Sequence, residues 1–120
     1  MGRRSRRQAR LQAPGSDYRD PEGNVLTLRG SLTPGARSEY ARVMSGEGMS
    51  AASTQDDVWQ RGLELLFERL ATRWVIAGAP IERQRELLAR FRAASPVERA
   101  WVRDVVREHC AEHFPELRAP

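Results

Sequence analysis

The sequence contains no lysine, and all 20 of its basic residues are arginine. This bias is typical of bacterial proteins encoded by GC-rich genomes, since the codons for arginine are rich in G and C. The abundance of arginine therefore does not by itself indicate nucleic-acid binding. The positions of the arginines carry more information than their number.

Cysteine is nearly absent, with Cys110 as the single one. An intramolecular disulfide is therefore excluded, which is typical of a reducing compartment and predicts a cytoplasmic location. The sequence also lacks any run that approaches the ~18 apolar residues of a membrane-spanning helix. We therefore expect no membrane partner.

Acidic residues are missing from the first eleven positions, whereas the rest of the chain has 15 arginines against 16 acidic residues. The net charge of +4 thus arises at the N-terminal end. Residues 1–16 have few apolar side chains to bury and end in Pro-Gly-Ser, so we predict a disordered, arginine-rich tail. Its arginines are Arg3, Arg4, Arg6, Arg7 and Arg10.

The patterning after the tail predicts a mostly α fold, a small helical bundle with a short N-terminal strand or hairpin at residues 17–30. Residues 20–24 read Asp-Pro-Glu-Gly-Asn, all of them turn-forming or turn-tolerant types. The following residues, Val-Leu-Thr-Leu-Arg, include β-branched side chains, alternate between apolar and polar types and end at Gly30. This pattern predicts a β-strand.

A short helix is predicted near residues 34–44, because Thr33 and Pro34 are typical of an N-cap and a first helical position. Residues 17–44 would then form a hairpin-and-helix unit. Residues 45–53, which are rich in glycine and serine, are predicted to be a flexible linker.

Three main helices are predicted at 55–77, 80–94 and 96–113, and they would form a helical bundle domain over residues 54–117. The first follows a capping-box pattern at Thr54, and the third follows one at Ser95. Apolar side chains at helical spacing define the inner face of the first helix. They are Trp59, Leu63, Leu66, Phe67, Leu70, Trp74 and Ala77.

A second apolar face on the first main helix is predicted from Val58, Leu65 and Ile76, which would lie opposite the inner face. Two interpretations are open. The helix could be covered on both sides by the chain itself, or this face could bind a protein partner or a second copy in a homodimer.

Arg99, Arg103 and Arg107 form a basic stripe on the last helix, at a spacing of four residues. Together with the arginines of the tail, they suggest nucleic-acid binding as the alternative function. The acidic residues Asp104 and Glu108 flank the stripe, however, so a duplex would meet charges of both signs.

His109 and His113 are metal-ligand types at i and i+4, and they are the weak candidates for a metal site. No second pair of cysteine or histidine residues completes a four-ligand set. The sequence has no nucleophile–base pattern and no phosphate-binding loop. We therefore expect no cofactor and no catalytic activity, and we predict a small bacterial accessory or regulatory protein that acts by protein–protein interaction.

Overall fold

The computed structural model of the protein describes residues 15–120. This part of the chain folds into four helices and a four-stranded antiparallel sheet, and it is 51% helical and 16% strand. The prediction of a mostly α helical bundle is therefore wrong, because the fold is α/β. Residues 1–14 of the predicted disordered tail lie outside the described residues, and the last residue of that prediction, Ser16, belongs to a strand.

The N-terminal hairpin consists of strands β1 (Ser16–Arg19) and β2 (Val25–Leu28), which pair in antiparallel register. The Asp20 carboxylate accepts hydrogen bonds from the main-chain N–H groups of Glu22 and Asn24, both at 2.9 Å. This turn chemistry agrees with the sequence prediction. The hairpin begins one residue before the predicted range of 17–30, because Ser16 pairs with Leu28.

Helix α1 (Pro34–Met44) begins at Thr33, whose hydroxyl accepts a hydrogen bond from the main chain of Ala36. Helix α2 (Gln55–Leu70) begins at Thr54 with a complete capping box. The two helices approach each other closely at Gly62. A Cβ atom at that position would lie 2.5 Å from the sulfur of Met44, so only glycine fits the contact without displacement.

The predicted helix 55–77 is wrong beyond Leu70, where the chain continues directly as strand β3 (Ala71–Ile76). Strand β4 (Ala79–Ile81) then folds back on β3. Ala77 and Gly78 form the turn with φ of 50° and 80°, and a two-residue hairpin turn of type I′ requires positive φ at both positions.

The hairpin of β3 and β4 replaces the end of one predicted helix and the beginning of the next. Thr72, Val75 and Ile76 are β-branched, and they favour a strand over a helix once a partner strand is available. Strand β2 provides that partner, because Leu26 pairs with Trp74 and the order of the sheet is β1-β2-β3-β4. Pro80 lies on the edge strand, where its missing N–H is tolerated.

Helix α3 (Gln84–Arg92) consequently begins four residues later than predicted, whereas α4 (Pro96–His113) has the predicted bounds. Ser95 and Glu98 form the second capping box. Glu98 also accepts a hydrogen bond at 2.5 Å from Arg90 of α3. The hydrogen bond from the Ser95 main chain and the pairing with Arg90 lower the pKa of Glu98.

The core lies between one face of the sheet and the helices. Leu26, Leu28 and Trp74 contribute the buried side chains of the sheet. The ring of Phe67 stacks on Phe91, with 4.7 Å between centroids, and it meets Trp74 edge to face. No helix in the described range 15–120 is both long and apolar enough to cross a membrane.

Candidate functional site

A groove of about 600 Å³ opens between α2, α4 and the C-terminal segment, residues 115–120. Asp56, Trp59 and Gln60 line it from the first turns of α2. Arg103 and Arg107 line it from α4, and residues 118–120 line it from the C-terminal segment. We call this feature the arginine groove.

Trp59 provides the aromatic wall of the arginine groove. Its side chain is 46% exposed, whereas Leu63 and Leu66 on the same face of α2 are buried. The capping box at Thr54 begins α2 shortly before Trp59. The N-terminal turns of the helix therefore lie over the groove, and its apolar face packs into the core only from Leu63 onwards. Trp59 is one of two large apolar residues left exposed in the described chain.

Three arginines give the groove its positive charge. Arg103 and Arg107 lie on one face of α4 because they are four residues apart. Arg107 donates from Nε to the main-chain oxygen of Pro120 at 3.1 Å. Arg118 comes from the C-terminal segment, where its carbonyl oxygen accepts a hydrogen bond from Tyr40 at 3.3 Å.

Within the described residues, the groove arginines have no aspartate or glutamate side chain as an ion-pair partner. Five ion pairs connect the described residues, and none of them includes Arg103, Arg107 or Arg118. Among the described residues that line the groove, Asp56 is the only one with an acidic side chain. Guanidinium groups bind carboxylates and phosphates in planar, bidentate geometry, and an indole ring packs against apolar or cationic groups. The arrangement is therefore suited to recognising an anionic ligand.

The basic stripe predicted on the last helix is divided by the fold. Arg103 and Arg107 line the groove, but Arg99 donates to the main-chain carbonyl of Arg92 at 2.6 Å, at the end of α3. The tail arginines of the nucleic-acid alternative, Arg3, Arg4, Arg6, Arg7 and Arg10, lie outside the described residues.

Of the predicted protein-interface residues, two are buried and Ile76 is half-buried. Val58 is 9% exposed and Leu65 is 8% exposed, and Leu65 belongs to the main core cluster. Ile76 lies on strand β3 rather than on α2, and it packs against the same cluster. These three residues therefore do not form an exposed stripe on one helix, because the helix ends at Leu70 and its second face is covered by the chain.

His109 is a buried structural group. Its Nε2 lies 2.8 Å from the carbonyl oxygen of Arg29, which can only accept, so Nε2 carries the proton. Its Nδ1 then accepts from the hydroxyl of Tyr18, also at 2.8 Å. Burial lowers the pKa of His109.

The rings of the two histidines predicted as weak metal ligands pack against each other at an angle of 40°, with 4.4 Å between centroids. Both nitrogens of His109 already have hydrogen-bond partners. Within residues 15–120, no group of three or more histidine, cysteine or acidic side chains is placed to hold a metal ion. Cys110 is buried, and burial raises its pKa to about 11.

No sequence pattern marks Trp59 or Arg118 as groove residues. The helical spacing predicts Trp59 on the inner face of α2, because it shares that spacing with the buried residues that follow. Its position near the N-terminal end of the helix is the available signal for its exposure. Arg118 follows Pro115 in a segment without periodicity, and no pattern marked it.

The chain matches no protein-family model, and comparisons with curated proteins and with solved structures likewise find no match. The candidate site is therefore defined by its own geometry and chemistry.

Proposed function

We propose that this protein is a protein-binding module that holds an acidic segment of its partner in the arginine groove. The observation that carries the proposal is the exposed Trp59 beside three arginines that form no ion pair with an acidic side chain in the described part of the chain. Tryptophan and arginine are the residue types most enriched at the energetic centres of protein interfaces. A cytoplasmic, accessory or regulatory role in a bacterium is part of this proposal.

The groove fits an extended peptide better than a nucleic acid. It is concave, and its lining includes the apolar side chains of the buried Leu63 and the half-buried Met44. Asp56 lies inside it, and Asp104 and Glu108 follow the groove arginines along α4. These carboxylates repel a continuous run of phosphates, whereas a peptide can place single carboxylates opposite the arginines.

Fluorescence anisotropy with a labelled peptide that alternates glutamate and leucine tests the proposal at physiological ionic strength. We expect saturable binding that the Arg103→Gln/Arg107→Gln variant weakens at least tenfold, since a partly desolvated pair of this kind contributes about 1.4 kcal/mol or more, which is a factor of ten in affinity. Trp59→Ala should weaken binding as well, without unfolding the protein, because the side chain is partly exposed.

The matched control is Arg83→Gln/Arg85→Gln, which removes the same charge from exposed positions at the start of α3. This control should retain the affinity of the unmodified protein. An equal loss of affinity in both double variants would show that net charge alone explains the effect, and it would overturn the proposal. So would tighter, arginine-groove-dependent binding of duplex DNA, or equal binding of a peptide with glutamine in place of glutamate.

A further inference from the structure

The carboxylate of Asp56 lines the arginine groove without a partner in the described part of the chain. Asp56 and Asp57 both lie in the first turn of α2. Asp57 completes the capping box, because it accepts a hydrogen bond from the main-chain N–H of Thr54 at 2.7 Å. Within residues 15–120, the carboxylate of Asp56 takes part in no ion pair, although Arg103 and Arg107 line the same groove. The groove therefore holds charges of both signs that do not pair with each other.

Trp59 places an exposed indole ring on the same wall of the groove as that carboxylate. Residues three apart on a helix are neighbours on its surface, and Asp56 and Trp59 have this spacing. The side chain of Trp59 is 46% exposed, and the cation–π contacts found in residues 15–120 use the rings of Phe114 and Trp74 instead. An ammonium or guanidinium group is attracted both to a carboxylate and to the face of an indole ring. This wall of the groove is therefore suited to a cation.

We infer that Asp56 and Trp59 form a subsite for a lysine or arginine side chain of the bound segment. Arg103 and Arg107 hold the carboxylates of the same segment, so this inference rests on the proposed function. It describes the partner more closely, as a segment that is acidic overall and carries a basic residue among its acidic ones. Each charge of the segment then meets a groove residue of the opposite sign.

The two walls of the groove also determine the spacing of the charges in the partner. Successive side chains of an extended peptide point in opposite directions. The groove opens between α2 and α4, so a peptide whose glutamates face Arg103 and Arg107 presents the intervening side chains to Asp56 and Trp59. The basic residue should therefore lie next to a glutamate in the sequence of the partner, and a basic residue two positions from a glutamate would face the arginines.

The test uses variants of the glutamate–leucine peptide, again with anisotropy at physiological ionic strength. Lysine replaces each leucine in turn, and a matched set has acetyl-lysine, which has the lysine stem but no charge, at the same positions. We expect at least one lysine peptide to bind about fivefold more tightly than its acetyl-lysine counterpart, because a cation–π contact and an exposed ion pair each contribute up to a factor of about five. Net charge predicts the opposite, since the added lysine makes the peptide less acidic and the groove has more arginines than acidic residues.

Lysine in place of a central glutamate tests the spacing. It should bind more weakly than acetyl-lysine at that position, because the position faces the arginines. A gain at the glutamate positions equal to that at the leucine positions would contradict the assignment of the cation to the α2 wall.

The Asp56→Asn variant tests the subsite itself. It should remove most of the preference for lysine over acetyl-lysine, and it should bind the original glutamate–leucine peptide more tightly, because a like charge has been removed. A folding defect would weaken the binding of both peptides, so effects of opposite sign identify the subsite. Trp59→Leu, which keeps an apolar side chain and removes the aromatic face, should also reduce the preference.

The matched control is Asp104→Asn, which removes the same charge from an exposed position of α4 that is not part of the groove lining. This control should keep the preference for lysine. A preference that is absent in the unmodified protein, or equally strong in Asp56→Asn, would overturn the inference and leave Asp56 as a favourable charge at the N-terminal end of α2. If the glutamate–leucine peptide binds through Arg103 and Arg107 without any gain from lysine, this inference fails alone. If none of the peptides binds, the proposed function fails with it.

Discussion

The hydroxyl of Tyr18 lies 2.8 Å from Nδ1 of His109, and this contact joins the first strand of the sheet to the C-terminal part of α4. The opposite ring nitrogen donates to the carbonyl of Arg29, just after β2. One buried imidazole thus fastens both strands of the N-terminal hairpin to the last helix. An isolated hairpin is marginally stable, so this connection contributes directly to the fold.

Tyr18→Phe should destabilise the protein by about 1–2 kcal/mol, because it leaves Nδ1 of the buried His109 without a donor. The free energy of unfolding in urea measures the effect. Thr27→Val is the matched control in the same hairpin. It keeps a β-branched side chain and removes only an exposed hydrogen bond to Asp17, so it should stay within about 0.5 kcal/mol of the unmodified protein. Equal effects of the two changes would contradict the role given to Tyr18.

The stability of the fold should fall as the pH is lowered below 6.5. Burial lowers the pKa of His109 from its usual 6.5. Between pH 6.5 and the lower pKa of the folded protein, the imidazole is therefore protonated in the unfolded chain and neutral in the folded one. The hydrogen bond to the carbonyl of Arg29 and the Glu112 carboxylate favour protonation and the nearby His113 opposes it, but burial is the largest effect and lowers the pKa. Stability is retained above pH 6.5 and is lost as the pH falls towards the folded pKa.

Urea titrations at a series of pH values measure this dependence, and His109→Gln removes the group responsible. The variant should be less stable at neutral pH and should show a shallower decline between about pH 6.5 and pH 5. Carboxylates also titrate near the lower end of this pH range. The effect of His109 is therefore the difference between the stability curves of the unmodified protein and the variant. Parallel curves would show that His109 is not the source of the pH dependence.

Local sequence chemistry was sufficient to predict the N-terminal hairpin, α1 and the start of α4. In each case, a turn sequence or a helix cap lies within a few residues of the boundary that it determines. The hairpin of β3 and β4 could not be separated from a helix in this way. Trp74 and Ala77 continue the helical spacing of α2, and the same stretch also alternates as a strand. The pairing of Leu26 with Trp74, which selects the strand, joins residues far apart in the sequence.

The candidate site was predictable only in part, for a similar reason. The spacing of Arg103 and Arg107 places them on one helix face wherever the helix lies. Their neighbours in the groove depend on how α2 crosses α4 and on where the C-terminal segment returns, and neither follows from local pattern. Likewise, Leu65 was a candidate for an interface because the helical spacing alone does not show what covers it.

The thiol of Cys110 should not react with iodoacetamide in the folded protein at neutral pH. The side chain is buried, and burial raises its pKa to about 11, so both access and the reactive thiolate are lacking. Mass spectrometry should find no label in buffer and complete labelling in guanidinium chloride. Rapid stoichiometric labelling in buffer would contradict the packing of α4 described above.

Ala77→Asn should stabilise the protein by about 1 kcal/mol. Ala77 has a φ of 50° in the two-residue turn between β3 and β4, a conformation that costs an ordinary side chain about 1–2 kcal/mol and that asparagine adopts more readily. The substitution also creates Asn-Gly, the preferred pair for this turn. The main-chain N–H of Ala77 donates to the side chain of Asn24 at 3.0 Å, and this bond is retained because it involves only the backbone at position 77.

The free energy of unfolding of Ala77→Asn is best compared with that of Gly78→Ala, the reciprocal change at the next position. Gly78 has a φ of 80° with open space around its Cα, so an added Cβ meets no neighbour and the cost is conformational. We expect Gly78→Ala to destabilise by about 1 kcal/mol. If residues 71–77 instead continued α2 as a helix, alanine at position 78 would favour the fold and asparagine at position 77 would weaken it. The signs of the two effects therefore distinguish the hairpin from the helix that the spacing of Trp74 and Ala77 suggested.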